Sequence, residues 1–288
     1  MKIAHSPNQV DRQPRAVAIG TFDGVHRGHQ AVVGAAIETG LAATVVTFDP
    51  HPRIVLGNRV EQIATIGRRL ELLAGLGVET TLVASFTTEL MRLEPEQFAE
   101  SYLRLMGAEV VAAGEDFRFG ARRRGDLELL ERLGFGILTV ADVPGVSSTA
   151  IRTEIATGDV VSAAQLLGRP YELDGIVVAG DQRGGTLGYP TANLAIEPQL
   201  ICPAFGIYAG SALDHLAAVS IGTNPHYGGT ERRIEPYLLD YSGDLYGKRL
   251  VVELWQRLRD EAVFDSEDEL IEQIGHDVEA TRAAVRPV

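Results

Sequence analysis

The stretch AVAIGTFDGVHRGH, residues 16–29, decides the fold of the first half of this chain. Its apolar opening predicts a buried strand, and the run from about Gly28 predicts a helix that begins directly after a Gly-rich turn. His26 and His29 stand three positions apart in that turn. Glycines let a backbone approach phosphates closely, and a helix N-terminus favours negative charge. The stretch therefore predicts a nucleotide site at the end of a strand.

Strands and helices continue to alternate up to about Leu166. Strand-like runs are ATVVTF, TTLVASF, AEVVAAG and GILTV, and the helical runs between them include RRLELLAGL, PEQFAESYLRLM and LELLERL. This alternation is typical of an open parallel α/β sheet, in which ligands bind at the carboxyl ends of the strands. We therefore expect an α/β domain over residues 1–168.

The pattern changes after LLGRP, residues 166–170. Strand-like runs broken by Gly, Pro and Asn follow, among them YELDGIVVAG, FGIYAGSAL and RLVVELWQRL. They predict a compact antiparallel β-barrel over residues 169–288. Ser266 and Glu269 have the spacing of a capping box ahead of an apolar run, which predicts a terminal helix.

Composition limits the classes of function. The 288 residues carry a net charge of −13, which would repel nucleic acid but allows a small anionic substrate held by local contacts. No apolar run approaches the ~20 residues of a membrane span, and the N-terminus lacks a signal-peptide core. The single cysteine, Cys202, forms no internal disulfide and is expected to be a core thiol. We expect a cytoplasmic enzyme of small molecules, of undetermined oligomeric state.

Other interpretations of the histidine pair stay open from the residues alone. A zinc site would need further ligands, for which only His51 and Cys202 are suggestive. The two histidines could instead cap a turn. The basic run at residues 122–124 is compatible with a phosphate contact or with a solvated loop.

The second half carries a Gly-rich stretch of its own, GDQRGGTLGYPTANL at residues 180–194. A flexible loop that closes over phosphates, followed by the Thr191 hydroxyl and the Asn193 amide, suits Mg²⁺-ATP, although a plain hairpin turn is the alternative. The chain has no P-loop, since GDLYGKR at residues 243–249 has the wrong spacing. An ordinary kinase fold is therefore disfavoured.

These motifs resemble those of the bifunctional bacterial FAD synthetases over nearly the whole chain. HRGH matches the HxGH signature of nucleotidyltransferases with a Rossmann-like fold. VTFDPHP (46–52), GEDFRFG (114–120) and SSTAIR (147–152) resemble the adenylyltransferase module, in the same order. PTANL, SIGTNP (220–225) and EPYLLDYSGDLYG (235–247) resemble the riboflavin kinase module, a small β-barrel. The resemblance implies ATP-dependent conversion of riboflavin to FMN and then of FMN to FAD, with Mg²⁺.

The resemblance also implies roles for individual residues. In the adenylyltransferase module, His26 and His29 would stabilise the transition state at the α-phosphate, and Phe48 and Asp116 would line the flavin side. The residues implied at its ATP site are Gly20, Phe22, Gly28, Ser148, Thr149 and Arg152.

In the kinase module, Glu235 would be the base near the ribityl 5′-hydroxyl, with Asp240 and Asp244 as other candidate carboxylates. Thr191 and Asn193 would hold Mg²⁺. The residues implied at the kinase ATP site are Gly180, Gly184, Gly188, Thr191 and Asn193.

Departures from the family pattern leave alternative functions. The segment 143–147 is shorter than in most relatives, and Gly185 stands where an Arg is common. A riboflavin kinase with an inactive adenylyltransferase domain is therefore one alternative, and a flavin-binding regulator without turnover is another. The HxGH module could also transfer a nucleotide to a different phosphorylated alcohol.

Overall fold

The computed structural model describes residues 1–179, 189–223 and 232–288. The chain divides into two compact units. The first consists of Met1–Val60 and Ile66–Val146, and the second consists of Glu61–Thr65 and Ser147–Val288. In the part of the chain that is described, no helix is long and apolar enough to span a bilayer.

The first unit is built on a six-stranded parallel sheet, as the sequence predicts. The strands are β1 (Lys2–Ala4), β2 (Arg15–Ile19), β3 (Ala42–Asp49), β4 (Thr80–Ser85), β5 (Ala108–Gly114) and β6 (Gly136–Val140). Their order is β1-β4-β3-β2-β5-β6. The strands β3 and β4 lie on one side of β2, and β5 and β6 lie on the other, so the topological switch point is between β2 and β5. Such switch points form crevices at the carboxyl ends of the strands. The short β1 was not predicted, because three residues are too few to show a period.

Helices cover both faces of this sheet. They are α1 (Arg27–Glu38), α2 (Pro52–Val55), α3 (Ile66–Gly75), α4 (Thr88–Arg92), α5 (Pro95–Phe98), which continues as a π-helical stretch at Ala99–Arg104, and α6 (Leu127–Arg132). Side chains of β2 alternate between the two apolar layers, with Val17 and Ile19 in one and Ala16 and Ala18 in the other. This period of two explains why a strand buried on both faces reads as continuously apolar.

The second unit is an antiparallel barrel that nearly closes. Its strands are β7 (Tyr171–Val178), β8 (Asn193–Ile196), β9 (Gly206–Ala212), β10 (His215–Thr223), β11 (Arg232–Leu238) and β12 (Arg249–Arg259), in the order β11-β10-β9-β12-β7-β8. The backbone N–H of Ala192, just before β8, donates to the carbonyl of Pro236 in β11 over 2.9 Å. This bond joins the two edges of the sheet, and the predicted barrel is confirmed.

Two helices that precede the barrel in sequence pack in its core. They are α7 (Ser148–Thr157) and α8 (Val160–Leu167), and Ile151, Ile155 and Leu167 belong to the same apolar cluster as the barrel strands. The compact units therefore divide between Val146 and Ser147. The predicted domain boundary at residues 168/169 stays a prediction.

The segment Glu61–Thr65 also belongs to the barrel unit. Gln62 forms a parallel bridge with Leu200, and Ile201 donates its N–H to the carbonyl of Gln62 over 2.8 Å. The hydroxyl of Thr65 donates to Asp174 of β7 over 2.6 Å. This strap, residues 61–65, is thus held by backbone and side-chain bonds together.

The predicted terminal helix is α9 (Glu267–Ala283). Ser266 caps it by accepting the N–H of Glu269 over 3.2 Å, while the Glu269 carboxylate accepts the N–H of Asp265 rather than that of Ser266. The capping box is therefore only half formed. The helix is also tied down by a buried charge, because Asp277 receives two hydrogen bonds, of 2.9 and 2.7 Å, from Arg259.

Candidate active sites

The turn between β2 and α1 places the two histidines at the switch point of the parallel sheet. Gly20 follows the last residue of β2 and donates its N–H to the carbonyl of Val46 over 3.1 Å. His26 is the N-cap of α1, and its Nδ1 accepts the backbone N–H of His29 over 3.3 Å. A Cβ on Gly28 would lie 3.3 Å from the His26 ring, so glycine there lets the ring rest against the helix. Capping and a nucleotide site are therefore compatible.

The two imidazoles stack on each other. Their ring centroids are 3.5 Å apart and their planes differ by 17°, while Phe22 contacts the His29 ring edge-on at 5.2 Å. Burial, followed by the neighbouring His26 and the positive charge of Arg69, holds the pKa of His29 well below 6.5. His29 is therefore neutral near pH 7. Its Nδ1 is buried with no hydrogen-bond partner in the described chain.

Phe48 and Asp116, predicted on the flavin side, follow two other strands of the same sheet. Phe48 is the penultimate residue of β3 and packs edge-on against Phe86 at 5.5 Å. Asp116 is exposed two residues after β5. Both lie at carboxyl ends of parallel strands, the edge at which β2 leads into the histidine turn.

The basic run at residues 122–124 is exposed, and its backbone is strained. Arg122 and Arg123 have φ angles of 55° and 57°, in the left-handed region that costs a side chain roughly 1–2 kcal/mol. Arg124 forms an ion pair with Glu94. Both earlier interpretations of this run, a phosphate contact and a solvated loop, stay open.

Ser148, Thr149 and Arg152 lie at the start of α7, in the barrel unit. The N-cap is Ser147, whose hydroxyl accepts the N–H of Ala150 over 3.1 Å. Ser148 and Thr149 are the first two helical residues, and Nε of Arg152 donates to the carbonyl of Glu61 over 2.6 Å. The motif is thus a helix N-terminus, which suits an anion. Its joint action with the histidines stays a prediction.

Glu235 lines a polar cavity of about 220 Å³ in the barrel unit. It lies on β11 opposite Ser220 of β10, and its carboxylate is 3.9 Å from the guanidinium of Arg233. The remaining lining residues are Gly222, Thr223 and Glu261. An alcohol that enters this cavity meets a carboxylate able to accept its proton.

Thr191 and Asn193 come to the same edge of the barrel as Glu235. They flank Ala192, whose N–H is bonded to the carbonyl of Pro236, the residue after Glu235. The structure therefore brings three predicted kinase residues, distant in sequence, onto two neighbouring segments. Predicted residues Gly180, Gly184 and Gly188, like Gly185 of the same loop, lie outside the described residues.

The other candidate carboxylates have structural partners. Asp240 receives two hydrogen bonds, of 3.0 and 3.2 Å, from Arg282 of α9, and Arg282 lowers the pKa of Asp240. Asp244 accepts the N–H of Tyr246 over 2.9 Å, as in a turn. Neither Asp240 nor Asp244 lines the polar cavity that Glu235 lines, which favours Glu235 as the base. Burial raises the pKa of Cys202 to about 11, so this thiol belongs to the core.

The described residues do not form the ligand set that a zinc site would need. Over residues 1–179, 189–223 and 232–288, no three His, Cys, Asp or Glu side chains gather as metal ligands. His51 instead caps α2, since its Nδ1 accepts the N–H of Arg53 over 3.1 Å.

Comparison with known proteins agrees with this geometry. Residues 8–154 match the family model described as FAD synthetase, and residues 167–285 match that described as riboflavin kinase. A bifunctional riboflavin kinase/FMN adenylyltransferase from Listeria monocytogenes is 36% identical over 93% of this chain and 92% of its own. The chain belongs to this family. A relative of the same description from Bacillus subtilis is 35% identical over 96% of both chains.

One solved structure is also similar to this member of the FAD synthetase family in its fold. It is described as a macrolide-efflux protein from Streptococcus pneumoniae, is 32% identical, and covers 97% of this chain and 98% of its own, with a TM-score of 0.87. The description belongs to that protein. The parallel sheet and the barrel thus occur together in a second chain.

Two charged residues near these sites were missed from the sequence. Arg69 of α3 is 1% exposed and donates through Nη1 to the carbonyl of Phe48 over 3.2 Å. The available signal was its position four residues before the buried Leu73, on the apolar face of the helix. Glu261 lies so close to Gly222 that any Cβ there would collide with its carboxylate. No local pattern reports that contact, because it joins β10 to the segment after β12.

Proposed function

We propose that the chain makes FAD from riboflavin in two ATP-dependent steps that use different residues. The barrel unit phosphorylates riboflavin to FMN, and the HxGH module, residues 1–168, transfers the adenylyl group of ATP to FMN and releases pyrophosphate. The observation that supports this most directly is the pairing of two separate chemistries in one chain. One is a stacked histidine pair at the switch point of a parallel sheet, and the other is a carboxylate in a polar barrel cavity.

Adenylyl transfer needs positioned hydrogen-bond donors rather than a nucleophilic side chain. An oxygen of the FMN phosphate attacks the α-phosphorus of ATP, and the bond from that phosphorus to the bridging oxygen breaks, with its electron pair leaving on pyrophosphate. His26 accepts an N–H at Nδ1, so its neutral ring carries the proton on Nε2. His29 is neutral and partly unpaired. Both imidazoles can donate to the oxygens where charge develops.

Phosphorylation of riboflavin needs a base at the ribityl 5′-hydroxyl. In this proposal that hydroxyl attacks the γ-phosphorus of ATP, its proton passes to the Glu235 carboxylate, and ADP leaves. Arg233, 3.9 Å from that carboxylate, is the cation that lines the same cavity. The choice of Glu235 over Asp240 and Asp244 is supported by the lining of this cavity, which includes Glu235 and neither aspartate.

Thr191 and Asn193 are the residues that would hold Mg²⁺ in the kinase step. Their hydroxyl and amide oxygens are hard ligands of the kind Mg²⁺ prefers, and both residues are only partly buried beside β11. A bound Mg²⁺ neutralises charge on the transferred phosphoryl group. The substrates are then riboflavin, FMN and ATP, and we infer a cytoplasmic location, where ATP is supplied.

The first experiment is a time course with riboflavin, ATP and Mg²⁺, in which riboflavin, FMN and FAD are separated by chromatography. FMN should rise and then decline as FAD appears. A reaction that stops at FMN would indicate a riboflavin kinase with an inactive adenylyltransferase domain. Flavin binding without ATP consumption would indicate a regulator.

Two variants test the division of labour, and each serves as the control of the other. His29→Ala should abolish FAD formation from FMN and leave FMN formation intact. Glu235→Gln should abolish FMN formation and leave FAD formation from added FMN intact. Loss of both activities in either folded variant would contradict the assignment.

A further inference from the structure

Arg69 carries a buried charge that the proposed chemistry has not used. Its side chain is among the largest fully buried ones of the chain, and it lies at the N-terminal part of α3. Nη1 donates to the carbonyl of Phe48 at the end of β3, and the carboxylates of Asp23 and Asp49 are its charged neighbours. Asp23 is fully buried in the turn after β2. The guanidinium thus lies near the carboxyl ends of the adjacent strands β2 and β3.

Packing alone does not call for a charge at this position. Removing an ion from water costs several kcal/mol, and an apolar side chain of similar volume is often as stable or more stable there. A Met or Leu at position 69 would also continue the apolar face that Leu73 occupies. The charge therefore points to a requirement of the adjoining turn.

The adjoining turn, residues 20–29, holds a strained backbone. Phe22 has a φ of 49° and Val25 a φ of 42°, and a β-branched residue at positive φ is a genuine outlier. Such strain persists only where the surroundings determine the conformation. Val25 is held by the amide of Gln30, which donates to its carbonyl over 2.9 Å, and Asp23 lies between the two strained residues.

We propose that Arg69 is a positioning residue for adenylyl transfer, which fixes the turn at residues 20–29 through Asp23 and presents a permanent positive charge to the histidine pair. This inference rests on the proposed function. Guanidinium stays protonated at every relevant pH, unlike imidazole. Arg69 is the permanently charged group that bears on His29, and it acts together with burial and the neighbouring His26 to lower the pKa of His29. Arg69 thereby keeps His29 a neutral donor until the anionic substrates arrive.

The test compares Arg69→Met with Arg68→Met in the full chain. Arg68 is the preceding residue on the same helix and forms an ion pair of 2.8 Å with Glu71. Arg69→Met should lower kcat for FMN adenylation about 100-fold, the usual effect of losing one positioned electrostatic group. Riboflavin phosphorylation by the same chain should change less than about twofold. Arg68→Met should leave both activities at the native level.

A second measurement does not depend on activity. NMR titration of ¹³C-labelled histidine, without substrate, should show the pKa of His29 raised in Arg69→Met and near its native value in Arg69→Lys, which restores the charge. If Arg69→Met does not fold, Arg69→Gln carries the same test, since it keeps a donor for the Phe48 carbonyl but no charge.

Either of two results overturns the inference. One is a charge-free variant that adenylates FMN at the native kcat. The other is an unchanged titration of His29 in that variant. If the native protein itself does not adenylate FMN, the proposed function fails instead, and the titration of His29 still decides whether Arg69 acts on the histidine pair.

Discussion

Asp174 is the residue whose replacement should most clearly weaken the barrel unit. Its Oδ2 accepts the hydroxyl of Thr65 over 2.6 Å and Nη2 of Arg249 over 2.9 Å, and its Oδ1 accepts Nε of Arg249 over 2.7 Å. The carboxylate is buried and joins the strap to β7 and β12. Asp174→Asn keeps the shape but leaves an amide N–H₂ facing donors.

The expected loss follows from these contacts. A hydrogen bond to a buried charged group contributes about 1.5–3 kcal/mol. The side chain of Arg249 is 41% exposed, so solvent screens its ion pair with Asp174. We therefore expect this ion pair to contribute about 1 kcal/mol or less to the free energy of unfolding. We therefore expect Asp174→Asn to lower the free energy of unfolding by about 2 kcal/mol. For a unit of this size that lowers Tm by roughly 4–8 °C.

The assay uses a probe that the chain supplies. Its single tryptophan, Trp255, lies on β12, so its fluorescence reports unfolding of the barrel unit during a urea titration. Asp214→Asn, which removes the same charge from an exposed residue between β9 and β10, is the control and should change the midpoint little. An Asp174→Asn midpoint equal to the native one would refute the reasoning. So would strict additivity with Arg249→Met, because residues in one network should couple.

Two further predictions concern helix propensity and pH. Gly275→Ala in α9 should raise the free energy of unfolding by up to about 1 kcal/mol, since the nearest atom to the new methyl is 3.9 Å away, on Tyr189. Gly210→Ala is the contrasting variant in the same urea assay. Its methyl would collide with the Glu253 carbonyl, so the variant should separate β9 from β12 and destabilise the barrel unit, and a neutral effect would contradict the packing. Because the pKa of His29 is lowered in the folded protein, His29 takes up a proton below about pH 6.5 in the unfolded chain but not in the folded one. The contribution of His29 to the free energy of unfolding is therefore full above that pH and declines as the pH falls. Circular dichroism in urea should therefore show the stability difference between native protein and His29→Gln shrinking from pH 7.5 to pH 5.5, and a constant difference would contradict it.

The local patterns of this sequence predict elements well where one period governs burial. The alternation of strands and helices up to residue 167 and the strand-rich barrel that follows are visible because each element buries one face or both along its own length. The turn at residues 20–29 is visible for the same reason, since Gly28 and the N-cap His26 act within four residues of each other. The family resemblance added the roles of residues whose types alone, such as Glu235, are ambiguous.

Tertiary structure decided which of these elements share a core and which charges meet. The start of α7 carries a motif of the HxGH module, yet Ile151 and Ile155 pack with the barrel, because an apolar helix face does not specify its partner. Arg69 lies on the apolar face of α3, but the helical pattern does not identify its hydrogen-bond partner, the carbonyl of Phe48 at the end of β3. Neighbours along the chain therefore specify the longer elements, their order and the motif turns, and these could be predicted from sequence, whereas the three-residue β1 could not. The buried charges and the composition of the cavity depend on residues that are distant in sequence, and those only the folded chain brings together.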